Sequence, residues 1–137
     1  MKLNTYLNFA GNCAEALAFY QEKLGGKILV SMSYDQMPEP RDIKPGTEKH
    51  VMHARIQIAD VVLMASDGPI DPANPMGSCS LTLSVESSAE AERLFALLAE
   101  GGQIKMAMAE TFFAHRFGML RDRFGINWMV IHQNSPE

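Results

Sequence analysis

Basic residues never gather in this chain. Twelve Lys and Arg stand against 16 Asp and Glu, a formal net charge of −4. The nearest thing to a basic cluster is Arg116, Arg121 and Arg123. Nucleic-acid binding needs a basic patch or stripe, so it is not expected here. Long hydrophobic runs are missing as well. No stretch approaches the roughly 20 apolar residues that span a bilayer, so no membrane partner is expected. Met1-Lys2-Leu3-Asn4-Thr5 lacks the apolar core of a signal peptide, which points to a cytoplasmic location. Cysteine is scarce. Cys13 and Cys79 lie far apart and outside any Cys-x-x-Cys pattern. Buried reduced thiols are favoured over a disulfide. No Ser–His–Asp arrangement and no paired Cys nucleophile is readable, so catalytic residues cannot be assigned.

The 137 residues are the size of one domain with a substantial core. Methionine is over-used, at ten residues. Core filling is the ordinary reading, and a pliable pocket is the sharper one.

The chain repeats itself. Asn12-Cys13-Ala14-Glu15-Ala16 opens a segment that closes on Leu24-Gly25-Gly26-Lys27-Ile28. Ser87-Ser88-Ala89-Glu90-Ala91 opens another that closes on Glu100-Gly101-Gly102-Gln103-Ile104. Each start has the form of a capping box, and each Gly-Gly pair suits a left-handed helix end. Around these segments the apolar residues alternate. Leu3–Phe9 reads as a strand, and Cys13 to about Leu24 as a helix with a stripe at Ala16, Phe19, Tyr20 and Leu24. Strands follow at about Lys27–Tyr34, His50–Ile58 and Val61–Ser66. In the third strand Ala54, Ile56 and Ile58 share one face; Val51, His53, Arg55 and Gln57 share the other. Residues 35–49 read as a polar excursion.

Asp67–Gly77, with Pro69, Pro72 and Pro75, is the plausible linker. Ser78–Val85 then alternates, a helix spans Ser88–Glu100, and strands follow at about Gln103–Ala109, Phe113–Arg121 and Asn127–His132. Asp122-Arg123-Phe124-Gly125 forms the last hairpin turn. The expected fold is α+β. It is one domain over 1–137, with module one at about 1–66 and module two at about 78–133. Two βαβββ modules would join into a cupped eight-stranded mixed sheet, with the helices packed outside.

This pattern resembles the vicinal-oxygen-chelate superfamily of glyoxalases, bleomycin-resistance proteins and extradiol dioxygenases, and more closely its PhnB-like branch. The resemblance rests on Tyr6–Cys13 with Glu15-Ala16 and Phe19-Tyr20, then Leu63–Asp67. It continues through Ala99–Gly102, Glu110–Phe113 and Asp122–Gly125 to Trp128. Phe113-Ala114 departs from it, because that branch usually has Trp-Gly there. Some members bear the name demethylubiquinone methyltransferase. The common methyltransferase fold needs a parallel sheet with a Gly-rich turn after its first strand, and the glycine pairs here end helices instead.

The resemblance implies a divalent metal held from the first and last strand of each module. The repeat locates those positions. Gly102 against Gly26 gives an offset of 76 and pairs Ser80 with Asn4. Gly125-Ile126 against Asp60-Val61 gives an offset of 65 and pairs Met129 with Met64. An amide, a hydroxyl and two thioethers are poor donors for such an ion, so no metal and no cofactor are expected. His50 and His53 sit at an odd strand spacing, which sends them to opposite faces. The inward face would carry Asn4, Tyr6, Asn8, His53, Arg55, Gln57, Met64, Ser80, Thr82 and Met129. Phe112, Phe113, His115 and Phe117 would form an aromatic rim, with core packing the equal alternative for the Phe residues. Such a lining suits a small organic ligand. His53 would be its acid–base group and Arg55 its anion-binding group, the alternative being that both bond to neighbouring strands or water. The expected protein is a metal-independent small-molecule binder, and a homodimer is expected from the resemblance. The alternative is a lyase, isomerase or dioxygenase using a non-standard metal site or His53 as a proton shuttle.

Overall fold

Alternation and helical periodicity become eleven elements in the computed structural model, which describes residues 1–37, 43–68 and 77–134. The chain divides into two compact units, Met1–Asn74 and Pro75–Glu137. The first contains β1 (Thr5–Phe9), α1 (Cys13–Leu24), β2 (Lys27–Ser33), a 3-10 turn (Tyr34–Gln36), β3 (Val51–Ile58) and β4 (Val61–Asp67). The second contains β5 (Leu81–Ser84), α2 (Ser88–Ala99), β6 (Gln103–Ala109), β7 (Ala114–Arg121) and β8 (Asn127–Gln133). The eight strands form two four-stranded sheets, ordered β1-β4-β3-β2 and β5-β8-β7-β6. Each is mixed: β1 runs parallel to β4 and β5 parallel to β8, while the other pairs are antiparallel. The architecture is α+β. The expected linker core at 69–76 lies outside the described residues, as does 38–42 of the polar excursion. Asp67, placed in that linker by the sequence, instead closes β4.

Pairing register confirms the repeat at single-residue precision. Thr5 pairs with Leu63 as Leu81 pairs with Trp128, and Tyr6 with Met64 as Thr82 with Met129. These pairs are related by the same offsets of 76 and 65. Even the irregularities repeat. A bulge lies between Ile28 and Val30, and its counterpart lies between Ile104 and Met106.

Each helix covers one face of its own sheet. In α1 the buried residues are Cys13, Ala16, Leu17 and Tyr20, the i, i+3, i+4, i+7 positions of one stripe. The stripe is rotated from the expected one: Leu17 replaces Phe19 and Leu24 as a fully buried member, because the sheet contact centres one residue earlier. Beneath it lie Leu7, Phe9, Ala54, Ile56, Leu63 and Ala65. Full burial of each large apolar side chain contributes about 1.5–3 kcal/mol. In α2 the stripe is Ala91, Leu94, Phe95 and Leu98, as expected. Gly118 on β7 makes room for it: a Cβ there would lie 2.7 Å from Phe95 Cε2 and 2.6 Å from Met108 Sδ.

Helix starts differ from expectation in one module. Ser87 Oγ accepts from Glu90 N at 3.1 Å, the predicted cap of α2. Asn12 makes no side-chain cap on α1, and its Oδ1 is buried without a hydrogen-bond partner. The carboxylate of Asp67, at the end of β4, takes that role. Both helices are followed by a glycine in the left-handed region, Gly25 (φ 69°) and Gly101 (φ 74°).

Two further expectations are corrected. Val51 is 3 % exposed and does not share the face of His53. A bulge at this point pairs Met32 with His53 but Ser33 with Val51, which inserts Met52 and reverses the alternation. Both cysteines are free, but only Cys13 is buried. Cys79 is exposed because it precedes β5 and lies outside the packed strand.

Candidate functional site

The helix takes one face of each sheet, so the other face is where side chains stand clear of it. In the first unit that face is built in cross-strand rows. One row runs Tyr6, Met64, Arg55, Val30 across all four strands. The next brings Asn8 beside Ser66 and His53 beside Met32. Tyr6 and His53 approach with ring centroids 6.2 Å apart, tilted by 34°. Tyr6 and Arg55 are exposed; His53 and Met64 are half-buried. Among the described residues Arg55 has no ion pair or side-chain hydrogen bond. No carboxylate occurs in either row, so a guanidinium stands ready for an anion.

The second unit presents different chemistry at equivalent places. Its central row is Thr82, Met129, Met119, Met106. Its neighbour is Ser84, Ile131, Phe117, Ala109. Phe117 meets Phe113 edge to face at 5.2 Å, and Phe113 meets Phe112 in the same way at 5.2 Å. Phe112 is 95 % exposed. This surface is thioether and aromatic where the first is cationic and hydrogen-bonding.

The predicted site residues therefore fall into two groups. Tyr6, His53, Arg55 and Met64 share one sheet face; Thr82 and Met129 share another, with Phe113 ringed against Phe117. Asn4 and Ser80 lie just before β1 and β5 and are exposed. His115 does not join the aromatic string. Its ring packs on His132 instead, at 4.8 Å between centroids. His50 and His53 do not form a pair: His50 sits against Gly11, where an added Cβ would lie 3.1 Å from Cε1, whereas His53 sits beside Tyr6.

Metal chemistry at the four equivalent positions is tested by their donors. Asn4, Met64, Ser80 and Met129 supply no carboxylate, imidazole or thiolate. Met64 also pairs directly with Arg55 and Met129 with Met119, so the cross-strand neighbours add a cation and another thioether. This set does not fit a hard or borderline divalent ion.

The sequence pattern does not single out Asp67, yet it is the best-connected polar side chain of the first unit. It is 6 % exposed, and Oδ1 accepts from Gly11 N (2.8 Å) and Cys13 N (2.9 Å). Oδ2 accepts from Val51 N at 2.9 Å, and its backbone carbonyl accepts from Tyr34 Oη at 2.8 Å. One carboxylate thus caps α1, where the helix dipole favours negative charge, and pins the start of β3. Burial, and then the charge of Asp67, pushes the Cys13 thiol up to about 12. That thiol is no nucleophile. The available signal was the acidic residue ending an apolar strand just before Gly68. Asp122, expected to be a turn residue, is one. Oδ1 accepts from Phe124 N and Ile126 N at 2.9 and 3.0 Å, while Oδ2 accepts from Trp128 Nε1 at 2.9 Å.

A family model described as 3-demethylubiquinone-9 3-methyltransferase matches residues 1–131. Protein YjdN of Escherichia coli (strain K12) is 37% identical over 140 residues, with 95% of this chain and 94% of YjdN covered. Among solved structures, protein PA1353 from Pseudomonas aeruginosa is similar at a TM-score of 0.85 and 43% identity, covering 97% of this chain and 98% of that one. The PhnB protein from Bacillus cereus is similar at 0.83 and 28% identity, covering 96% and 99%. A glyoxylase/bleomycin resistance protein/dioxygenase domain from Frankia sp. EAN1pec shares the fold alone, at 0.64 and 20% identity over 98% of both chains.

Proposed function

We propose a function for a chain that belongs to the family described as 3-demethylubiquinone-9 3-methyltransferase and has the two-module glyoxalase fold: it binds a small organic molecule on its open sheet faces without a divalent metal. The observation that carries this reading is the row Tyr6, Met64, Arg55, where an exposed guanidinium, without an ion pair or side-chain hydrogen bond among the described residues, stands beside a thioether that an aromatic ring flanks on its other side. Arg55 recognises an anionic or strongly polar substituent, and Tyr6 and His53 add stacking surface and hydrogen bonds. Thr82, Met129 and Phe113, on the second module, offer by themselves a surface suited to apolar or aromatic groups. Asn4 and Ser80 supply further polar contacts. The family description names methyl transfer. Mixed four-stranded sheets, with Gly25 and Gly101 following helices, differ from the doubly wound parallel sheet of common methyltransferases, which supports the binding reading. Among the described residues no helix is long and apolar enough to cross a membrane. The proposal includes a homodimer in the cytoplasm.

Thermal-shift and calorimetric titration against a panel of aromatic and aliphatic organic anions tests this. Binding should be unchanged in EDTA and should weaken about tenfold or more in Arg55→Ala, as expected for a charge-assisted contact. Binding that appears only after Mg(II), Mn(II) or Zn(II) is added would overturn it. Proximity of His53 to Tyr6 favours a second reading, a lyase or isomerase with His53 as proton shuttle. Turnover of a bound ligand, lost in His53→Ala with binding retained, would establish that reading instead. Light scattering of the purified protein checks the dimer.

A further inference from the structure

Strand β7 carries one residue too many at its start. Ala114 pairs with Gln133 and Arg116 with His132, so His115 is the extra residue of a β-bulge. Bulges re-aim side chains, and this one sets two imidazoles together. The rings of His115 and His132 have centroids 4.8 Å apart and are tilted by 40°. His132 Nδ1 lies 3.1 Å from Ser88 Oγ, at the first turn of α2.

The spacing matches a chelate. Two imidazole nitrogens at about 2.1 Å from one ion, in a roughly right-angled or tetrahedral arrangement, place their ring centroids about 5 Å apart. The tethered Nδ1 also matches. A metal-ligating histidine commonly has its second nitrogen held by a hydrogen bond, which fixes the ring. Ser88 does this for His132: with the proton on Nδ1 donated to Ser88 Oγ, Nε2 is the metal donor. Among the described residues no carboxylate joins the pair as a third ligand, and Glu92 is engaged by Arg116 Nε at 3.0 Å. Among the described residues no group of three His, Cys, Asp or Glu gathers, so the remaining positions fall to water.

We propose that His115 and His132 form a two-imidazole site for a borderline divalent cation of the Zn(II), Ni(II) or Cu(II) class. It uses none of Asn4, Met64, Ser80 or Met129 and is independent of ligand binding on the open faces. Such a cation would tie β7 to β8 beside the start of α2.

Calorimetric titration of the full chain with Zn(II) and Ni(II), with Cu(II) paramagnetic resonance, tests it. One ion per chain is expected, with coupling to two imidazole nitrogens. His115→Phe keeps an aromatic ring at an exposed position and should weaken binding at least about tenfold. His132→Gln should do the same, and Ser88→Ala should cost about ten- to a hundredfold by freeing the ring. His53→Ala should change nothing. Absence of stoichiometric binding, or binding that survives His115→Phe or falls with His53→Ala, would overturn the proposal. Circular dichroism of each variant separates loss of a ligand from loss of fold.

Discussion

The two modules share a plan down to matched bulges, yet they hold their helices in different ways. In the first, the last strand ends in Asp67, whose carboxylate reaches the α1 backbone at Gly11 and Cys13. In the second, the equivalent residue at the offset of 65 is His132, which meets Ser88 Oγ, while Ser87 supplies the cap. The same strand end therefore serves as a structural clamp in one copy and is released for other chemistry in the other. Duplication leaves one copy free to change a contact, provided something local replaces it. Ser87 is that replacement.

The largest test of this comparison is Asp67→Ala. It strands two buried N–H groups and one part-buried one and should cost about 3–5 kcal/mol, read by urea denaturation. Next is Gly118→Ala, whose Cβ would press on Phe95 and Met108. About 1–3 kcal/mol of destabilisation is expected by the same measurement. The equivalent position in the first module, at an offset of 64 through the β3 and β7 pairings, already carries Ala54, so the close approach belongs to one copy only. Ser87→Ala should be milder, about 1 kcal/mol, because one hydroxyl cap is lost and not a buried charge. A loss as large as that of Asp67→Ala would erase the distinction between the two starts.

The smallest effect is chemical. Cys79 should react readily with a thiol reagent in the native protein, and Cys13 only on unfolding. Raising the folded thiol from 9.0 to about 12 means the unfolded chain loses this proton first. That contribution to stability is complete below pH about 9 and disappears as pH rises to about 12. Cys13→Ala should flatten the alkaline limb of a denaturation series. An unchanged limb would count against burial beside Asp67 as the origin of the raised thiol.

Much of the fold was legible. Alternation and helical stripes located every strand and both helices, because each sheet has one covered face and so a strong period of two. The repeat matched equivalent positions of the two modules, and the β1–β4 and β5–β8 registers obey the same offsets. What stayed hidden has a common cause: bulges and long-range polar contacts leave no periodic trace. Met52 reversed the face of Val51, His115 moved beside His132, and Asp67 found its partners 54 and 56 residues away. The shared face of His53 and Arg55, and the polar face of Tyr6, followed from alternation, whereas Met64 was placed by the repeat. The cap expected from Asn12 failed because a charged acceptor outcompeted an amide at the same helix start.

The repeated bulge on the outermost strands has a consequence for self-association. β2 and β6 each end their own sheet and display Leu29, Val30, Ile104 and Met106, all 41 % exposed or more. A straight strand of that composition would offer an even comb of N–H and C=O groups to any passing chain. The extra residue spoils the comb at its middle in both copies. A foreign strand could match the first few rungs and then lose step.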